Sequence, residues 1–203
     1  MRVHKIETNR LIIRCYKEED AGILKKSIDE SLDHLRPWMP WVKFEPEMLE
    51  QKIERLRIFK NQYENGVDYT LGIFDKEETE VIGSTGLHTR IGPNAREIGY
   101  WINSNHVSKG YATETVKALL KVGFEIENLE RIEIRCDPKN LNSLKIPSNL
   151  GFTHETTLVA NASNPEGEPR DTMIWALTRE QYQKNTNTGV EVKAFDAKNK
   201  LLL

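Results

Sequence analysis

The chain holds 203 residues, 38% of them hydrophobic and 30% charged, with 29 Lys and Arg against 31 Asp and Glu. That length suits one domain, or a domain with a tail, and the formal net charge of −2 gives no overall attraction to nucleic acid or anionic lipid. No stretch approaches the roughly 18 apolar residues of a membrane span, and the opening MRVHKIETNR has no apolar run to act as a signal. Cys15 and Cys136 form no C-x-x-C pair, and the histidines at 4, 34, 88, 106 and 154 do not fall at metal-ligand spacing. A cytoplasmic protein without a metal is expected.

Residues 10–16, RLIIRCY, alternate Leu11, Ile13 and Cys15 against Ile12, Arg14 and Tyr16, which predicts a strand. Residues 18–35 carry Ala21, Leu24, Ile28, Leu32 and Leu35 at helical steps, and Pro37 and Pro40 end that pattern. A second helix fits 46–64, with Leu49, Ile53, Leu56 and Tyr63 on one stripe. Strands follow at 67–75, 80–91 and 96–103, separated by the turn-forming DKEE and GPN. A helix burying Ala112, Val116, Leu119 and Leu120 comes next, then an alternating RIEIRC at 131–136. Strand–helix–strand from 96 to 136 predicts a crossover. A short helix at 141–150, a strand from Phe152 and a last strand at 171–177 complete an α/β domain over 1–184. Residues 185–203 are polar and lose the pattern. They read as a tail, disordered or adding a strand through Val190 and Val192.

Gly110 and Ala112 stand where the helix after the 96–103 strand begins, and glycine there weakens a helix by up to ~1 kcal/mol. One explanation is a tight turn with no ligand. The other is an anion: free N–H groups and the helix dipole attract a phosphate, and glycine lets it approach the backbone. Neither G-x-x-x-x-G-K-[ST] nor G-x-G-x-x-G at a strand end is present, which excludes two competing nucleotide motifs.

The stretch EIGYWINSNHVSKGYATE resembles the acetyl-CoA-binding core of the GNAT N-acetyltransferases, with its fingerprint [QR]-x-x-G-x-[GA]. ETNRLIIRCYKEEDA, HLRPWMPWV, NLNSLKIPSNLGF and RDTMIWAL are similar, in order, to segments of the RimJ/RimL branch of ribosomal-protein N-terminal acetyltransferases. The resemblance spans roughly residues 5 to 180. It implies a mixed, mostly antiparallel sheet of about seven strands with flanking helices, splayed between the fourth and fifth strands (96–103 and 131–136). The backbone of Trp101, Ile102 and Asn103 would pair with the pantetheine arm. Amides from Ser108 through Lys109, Gly110, Tyr111 and Ala112 to Thr113 would hold the pyrophosphate. Val107 replaces the fingerprint's Gln or Arg, so a side-chain contact is lost, while Lys109 can still offer a point charge.

Acetyl transfer to an amine needs a neutral nucleophile, a polarised carbonyl and an outlet for the thiolate. A main-chain N–H at 100–102 can polarise the carbonyl. By resemblance, Asn140 would contact the cofactor arm and Ser143 would protonate the leaving sulfur; both also read as helix caps. Pro147 occupies the position of the family's frequent acid tyrosine. Glu97 is the candidate general base, with His88 on the neighbouring strand as the alternative, and both also have structural readings. Asp171 could hold the acceptor's ammonium group. Trp38 and Trp41 either wall the acceptor cleft or plug a gap between helix and sheet. Cys136 reads as a buried core thiol near the splay. The expected reaction is acetyl transfer from acetyl-CoA to a protein N-terminus, such as that of a ribosomal protein, or to a small amine, by a monomer or homodimer with no nucleic-acid or membrane partner; the rival reading, from Val107 and Pro147, is a non-catalytic acyl-CoA-binding module.

Overall fold

The computed structural model describes residues 1–164 and 166–203. Nine strands form one sheet: β1 (Lys5–Glu7), β2 (Ile12–Arg14), β3 (Thr70–Phe74), β4 (Val81–His88), β5 (Ala95–Ile102), β6 (Arg131–Cys136), β7 (Thr153–Ser163), β8 (Pro169–Thr178) and β9 (Lys193–Phe195). Their spatial order is β7-β8-β6-β5-β4-β3-β2-β1-β9, and every pairing is antiparallel except β5 with β6. The helices are α1 (Ala21–Asp29), α2 (Leu32–Leu35), α3 (Leu49–Glu64), α4 (Tyr111–Lys121), α5 (Leu141–Asn149) and α6 (Arg179–Lys184). None of the described helices is long and apolar enough to cross a membrane.

The sheet is wider than the seven strands expected, for two reasons. The first strand is a hairpin: Thr8 and Leu11 close a turn through Thr8 N–H to Leu11 O at 3.0 Å, so β1 folds back on β2. At the far end β9 pairs with β1 and buries Ala194 completely, and the Leu202 N–H donates to Ala194 O at 2.7 Å. The added strand thus falls at 193–195, just beyond Val190 and Val192.

The helix expected over 18–35 is broken. Ser31 Oγ donates to Ser27 O at 2.8 Å and accepts the Ser104 N–H at 3.0 Å, while Asn103 Nδ2 donates to Ser27 Oγ at 3.0 Å. These bonds tie the end of α1 to the loop after β5. The break falls at Ser31, whose backbone leaves the helical region at φ −114° and ψ 4°.

Strand alternation sorts the core into two layers. Ile98 and Ile102 pack with Val116, Leu119 and Leu120 of α4 on one face. Trp101 lies on the other, with Leu24, Ile28 and Leu56 of α1 and α3. Glu97 and Gly99 share the Trp101 face, because side chains alternate along a strand. We predict that Ala194→Asp, which buries an unpaired carboxylate in a fully enclosed site, costs about 3 kcal/mol or more. In thermal denaturation that is a fall of roughly 10 °C.

Candidate active site

β5 and β6 pair over only three positions, Ala95↔Arg131, Arg96↔Ile132 and Glu97↔Glu133. Beyond them β5 continues to Ile102 beside β4, and β6 continues to Cys136 beside β8, leaving a gap. The two glutamates at the point of divergence are buried and neighbouring, so their charges need partners. Arg90 Nε donates to Glu97 at 2.8 Å and its Nη2 reaches the second oxygen. Glu133 takes Arg131 Nε at 2.8 Å and Arg135 Nε at 3.0 Å, and Arg135 lies 3.7 Å from Glu97. Glu155 reinforces the clamp from β7 by accepting from Arg131 at 2.8 Å.

Asn103 N–H donates to Ile82 O at 2.8 Å. In an antiparallel ladder that bond fixes the parity. Trp101, Gly99 and Glu97 exchange backbone bonds with β4, whereas Tyr100 and Ile102 turn their N–H and C=O groups to the gap, and Ile98 its C=O, its N–H belonging to the ladder that ends at Glu97↔Glu133. Of the three residues expected to pair with a ligand arm there, Ile102 has the orientation. Trp101 and Asn103 are engaged by β4, and Asn103's side chain serves the α1 junction.

At the end of β5 the chain turns into α4 through two left-handed residues, Ser108 at φ +61° and Gly110 at φ +81°. A Cβ on Gly110 would come only to 3.5 Å from Arg10, an ordinary contact. Conformation, not crowding, demands glycine there. The N–H groups of Tyr111, Ala112 and Thr113 find no acceptor among the described residues, as helix geometry dictates. Glu114 anchors the turn: Thr8 Oγ1 donates to it at 2.6 Å and Arg10 Nε at 2.7 Å, while Arg10 Nη1 donates to Lys109 O at 2.9 Å. Lys109 folds back, its Nζ donating to Asn105 O at 2.9 Å. Three bare amides at a helix start, with Arg10 beside them, fit a diphosphate.

Across the gap, Asn140 caps α5: its Oδ1 accepts the Ser143 N–H at 3.1 Å. Ser143 and Asn140 both line the cavity that fills the gap, and so do Tyr100 and Cys136. Burial pushes the Cys136 thiol up to about 11, which keeps it protonated and unreactive.

That cavity, about 730 Å³, continues over the Trp101 face. Trp38 and Trp41 wall it, and Trp41 lies against Trp101 with ring centroids 6.1 Å apart. His88 also faces it. His88 Nδ1 bonds Asp68 Oδ2 at 2.8 Å, which leaves Nε2 free. Burial raises the Asp68 carboxyl, but the His88 bond and charge with two backbone N–H groups outweigh it and hold it below its usual value. Gly86 and Gly99 make room for the imidazole, since a Cβ would stand 2.6 Å from its Cε1 at Gly86 and 3.2 Å from its Nε2 at Gly99. Sequence reasoning missed Asp68, which lies 20 residues away across the hairpin.

Lys52, wholly buried, forms ion pairs with Glu45 and Glu47, and Arg55 bonds Glu47 from outside. This cluster fixes the loop that carries the tryptophans. Asp171 does not line this cavity but does line the second one that adjoins it. Its Oδ1 accepts the Ala160 N–H at 2.8 Å at a bulge of β7, while its neighbours Arg170 and Thr172 face inward. The cavity's fixed charges are Lys52, Arg55, Arg90, Arg135 and Arg170 against Glu45, Glu97 and Asp137, so cations outnumber anions. A second cavity of about 520 Å³ adjoins it at Trp38, Asp137 and Arg170.

Residues 10–153 match the family model of the acetyltransferase (GNAT) domain. An uncharacterized N-acetyltransferase, p20, from Bacillus licheniformis is 30% identical over 176 residues, which cover 86% of this chain and 96% of that protein. The [ribosomal protein uS5]-alanine N-acetyltransferase of Escherichia coli is 27% identical over 177 residues, 86% of this chain and 90% of the enzyme. Among solved structures, a RimL ribosomal L7/L12 α-N-protein acetyltransferase in complex with coenzyme A superposes with a TM-score of 0.77 at 19% identity. That match covers 86% of this chain and 97% of the other.

Two outcomes are expected. Gly110→Glu, which forces a side chain into the left-handed region and places a carboxylate at the bare amides, should abolish coenzyme A binding in calorimetry while the fold persists. Hydrogen bonds from Arg55, opposed by burial and aided by Lys52, pull the Glu47 carboxyl from 4.5 down to about 2. A depressed carboxyl gives stability that is complete above the unfolded value and lost as pH falls through the folded one. Acid titration followed by tryptophan fluorescence should therefore loosen the Trp38–Trp41 loop between pH 4.5 and 2. Glu47→Gln, destabilised by about 3 kcal/mol at neutral pH, should lose that part of the slope.

Proposed function

Starting from the chain's membership of the GNAT acetyltransferase family, we propose that it acetylates the α-amine of a protein N-terminus, with acetyl-CoA as donor. Bound acetyl-CoA supplies an acetyl group activated as a thioester. Tyr111, Ala112 and Thr113 give their N–H groups to the diphosphate, and Ile98, Tyr100 and Ile102 offer the backbone edge to the pantetheine arm. A main-chain N–H of that edge polarises the acetyl carbonyl. Ser143 Oγ gives a hydrogen bond to the departing sulfur. It stops short of surrendering its proton, because a serine alkoxide is far more basic than a thiolate.

His88 is the better base. Both Glu97 oxygens are held by Arg90, whereas His88 Nε2 is free and oriented by Asp68. The amine then sets the scale. Deprotonating an α-amino group at pH 7 costs about 1 kcal/mol, against nearly 5 for lysine, and a single histidine suits the former.

The acceptor class rests on one observation: the cavity beside Trp38 and Trp41 adjoins a second cavity. A peptide presents one ammonium group and a length of chain for that adjoining cavity, more than a small amine can fill. The uS5-modifying relative makes ribosomal-protein N-termini the first acceptors to try. Free thiols at Cys15 and Cys136 suit a reducing setting such as the cytoplasm.

Release of coenzyme A should be measured across N-terminal peptides, polyamines and aminoglycosides. Turnover on peptides is expected; turnover confined to small cations would overturn the acceptor assignment. His88→Gln should lower kcat about a hundredfold with KM for acetyl-CoA little changed. An unchanged kcat would return the role of base to Glu97.

A further inference from the structure

Pro147 lies inside α5 and has no N–H. The carbonyl four residues earlier, that of Ser143, therefore lacks its helical donor. Tyr100 reaches across the gap from β5 to this point. Its Oη lies 3.3 Å from Ser143 O and 3.1 Å from Ser143 Oγ. A phenol has one proton to give, and either oxygen can accept it.

The surroundings of Ser143 decide where its own hydrogen points. Its N–H is held by Asn140. Its carbonyl and hydroxyl both face the phenol, and Cys136 is the remaining polar neighbour of the hydroxyl. Burial holds the Tyr100 phenol well above its ordinary range, against the smaller opposite effect of Ser143, so it remains a donor at neutral pH. Once Oγ accepts from the phenol, the serine hydrogen must turn away from it. The Cys136 sulfur, which also bonds this hydroxyl, is only a weak acceptor, so the hydrogen is left for a stronger acceptor in the cavity, which Ser143, Tyr100 and Cys136 all line.

We propose that Tyr100 is a positioning residue whose phenol donates to Ser143 Oγ and so turns the Ser143 hydrogen into the gap between β5 and β6. The proposal rests on the reading of Ser143 as the hydrogen-bond donor to the departing sulfur. The rival role for Tyr100 is purely structural, a cap on the carbonyl that Pro147 leaves bare.

Two readouts separate these. One is the acidity of the coenzyme A thiol in the binary complex, followed by ultraviolet thiolate absorbance; the other is the split between kcat and KM. A donor aimed at the thiolate lowers its pKa. Tyr100→Phe should therefore raise the bound thiol's pKa by about one pH unit and lower kcat about tenfold. KM for acetyl-CoA should stay within about twofold, since ground-state binding is untouched. Ser143→Ala should do the same, and the double variant should match Ser143→Ala alone. Tyr100→Phe/Pro147→Ala restores an N–H to the bare carbonyl. It should remain slow with the thiol pKa still raised, and it carries the same measurement if Tyr100→Phe alone unfolds. Recovery of wild-type values in that variant would show a mere cap and overturn the proposal, as would effects of Tyr100 and Ser143 that multiply. Should Ser143→Ala keep wild-type values while Tyr100→Phe does not, the Ser143 reading fails and Tyr100 acts directly.

Discussion

The parallel register of β5 with β6, cut off at Glu97 and Glu133, governs the molecule. A backbone polar group left unpaired away from water costs about as much as a lost hydrogen bond. The groups of Ile98, Tyr100 and Ile102 that face the gap are therefore a standing demand for a partner, which water meets only loosely. An extended chain with alternating donors and acceptors answers it in the manner of an added strand. The divergence survives because Arg90, Arg131 and Arg135 gather around two buried carboxylates.

The helix start at the end of the gap follows from the same layout. A right-handed crossover from β5 to β6 must place α4 on one face with its N-terminus at the carboxyl end of β5. That is where the gap is widest. Glu114, one turn into α4, holds Thr8 and Arg10 of the β1–β2 hairpin, so the sheet's distant edge steadies the turn. Its negative charge, unhelpful beside an anion site, is offset by Arg10.

Features that depend on neighbours in sequence were legible there. The small residues at 110 and 112, the alternation through β5 and the crossover all follow from local periodicity and conformational preference. Trp38 and Trp41 drew notice because so short a loop offers two indoles little cover, while their sequence left open whether they wall a cleft or plug a gap. What escaped depends on which side chains meet across strands. Arg90 reaches Glu97 around a hairpin and changes a free carboxylate into a clamped one; Asp68 does the converse for His88 and leaves a nitrogen free. Seen alone, neither glutamate nor histidine reveals its partner. The break near Ser31 was hidden because Ser27, Ser31 and Asn103 are far apart in the chain and satisfy one another only once folded. Tyr100 did leave a signal: a proline within a helix bares a carbonyl, and a tyrosine at an inward position of the facing strand can supply its donor.

The tryptophan side of the cavity is held differently from the gap between β5 and β6. Between α2 and α3 the chain has no ladder to fix it, and Lys52 with Glu45 and Glu47 takes that part. Buried ion pairs are poor sources of stability, since desolvation offsets most of their attraction, and apolar residues of similar volume often do better. An apolar replacement would strip Lys52 and Glu45 from the cavity wall together, keeping the net charge while erasing its placement. The tryptophan loop would then lose the bonds that define its shape, and Trp41 its reason to rest against Trp101. Retaining a costly cluster makes sense where the shape and polarity of the wall matter more than the depth of the folding well.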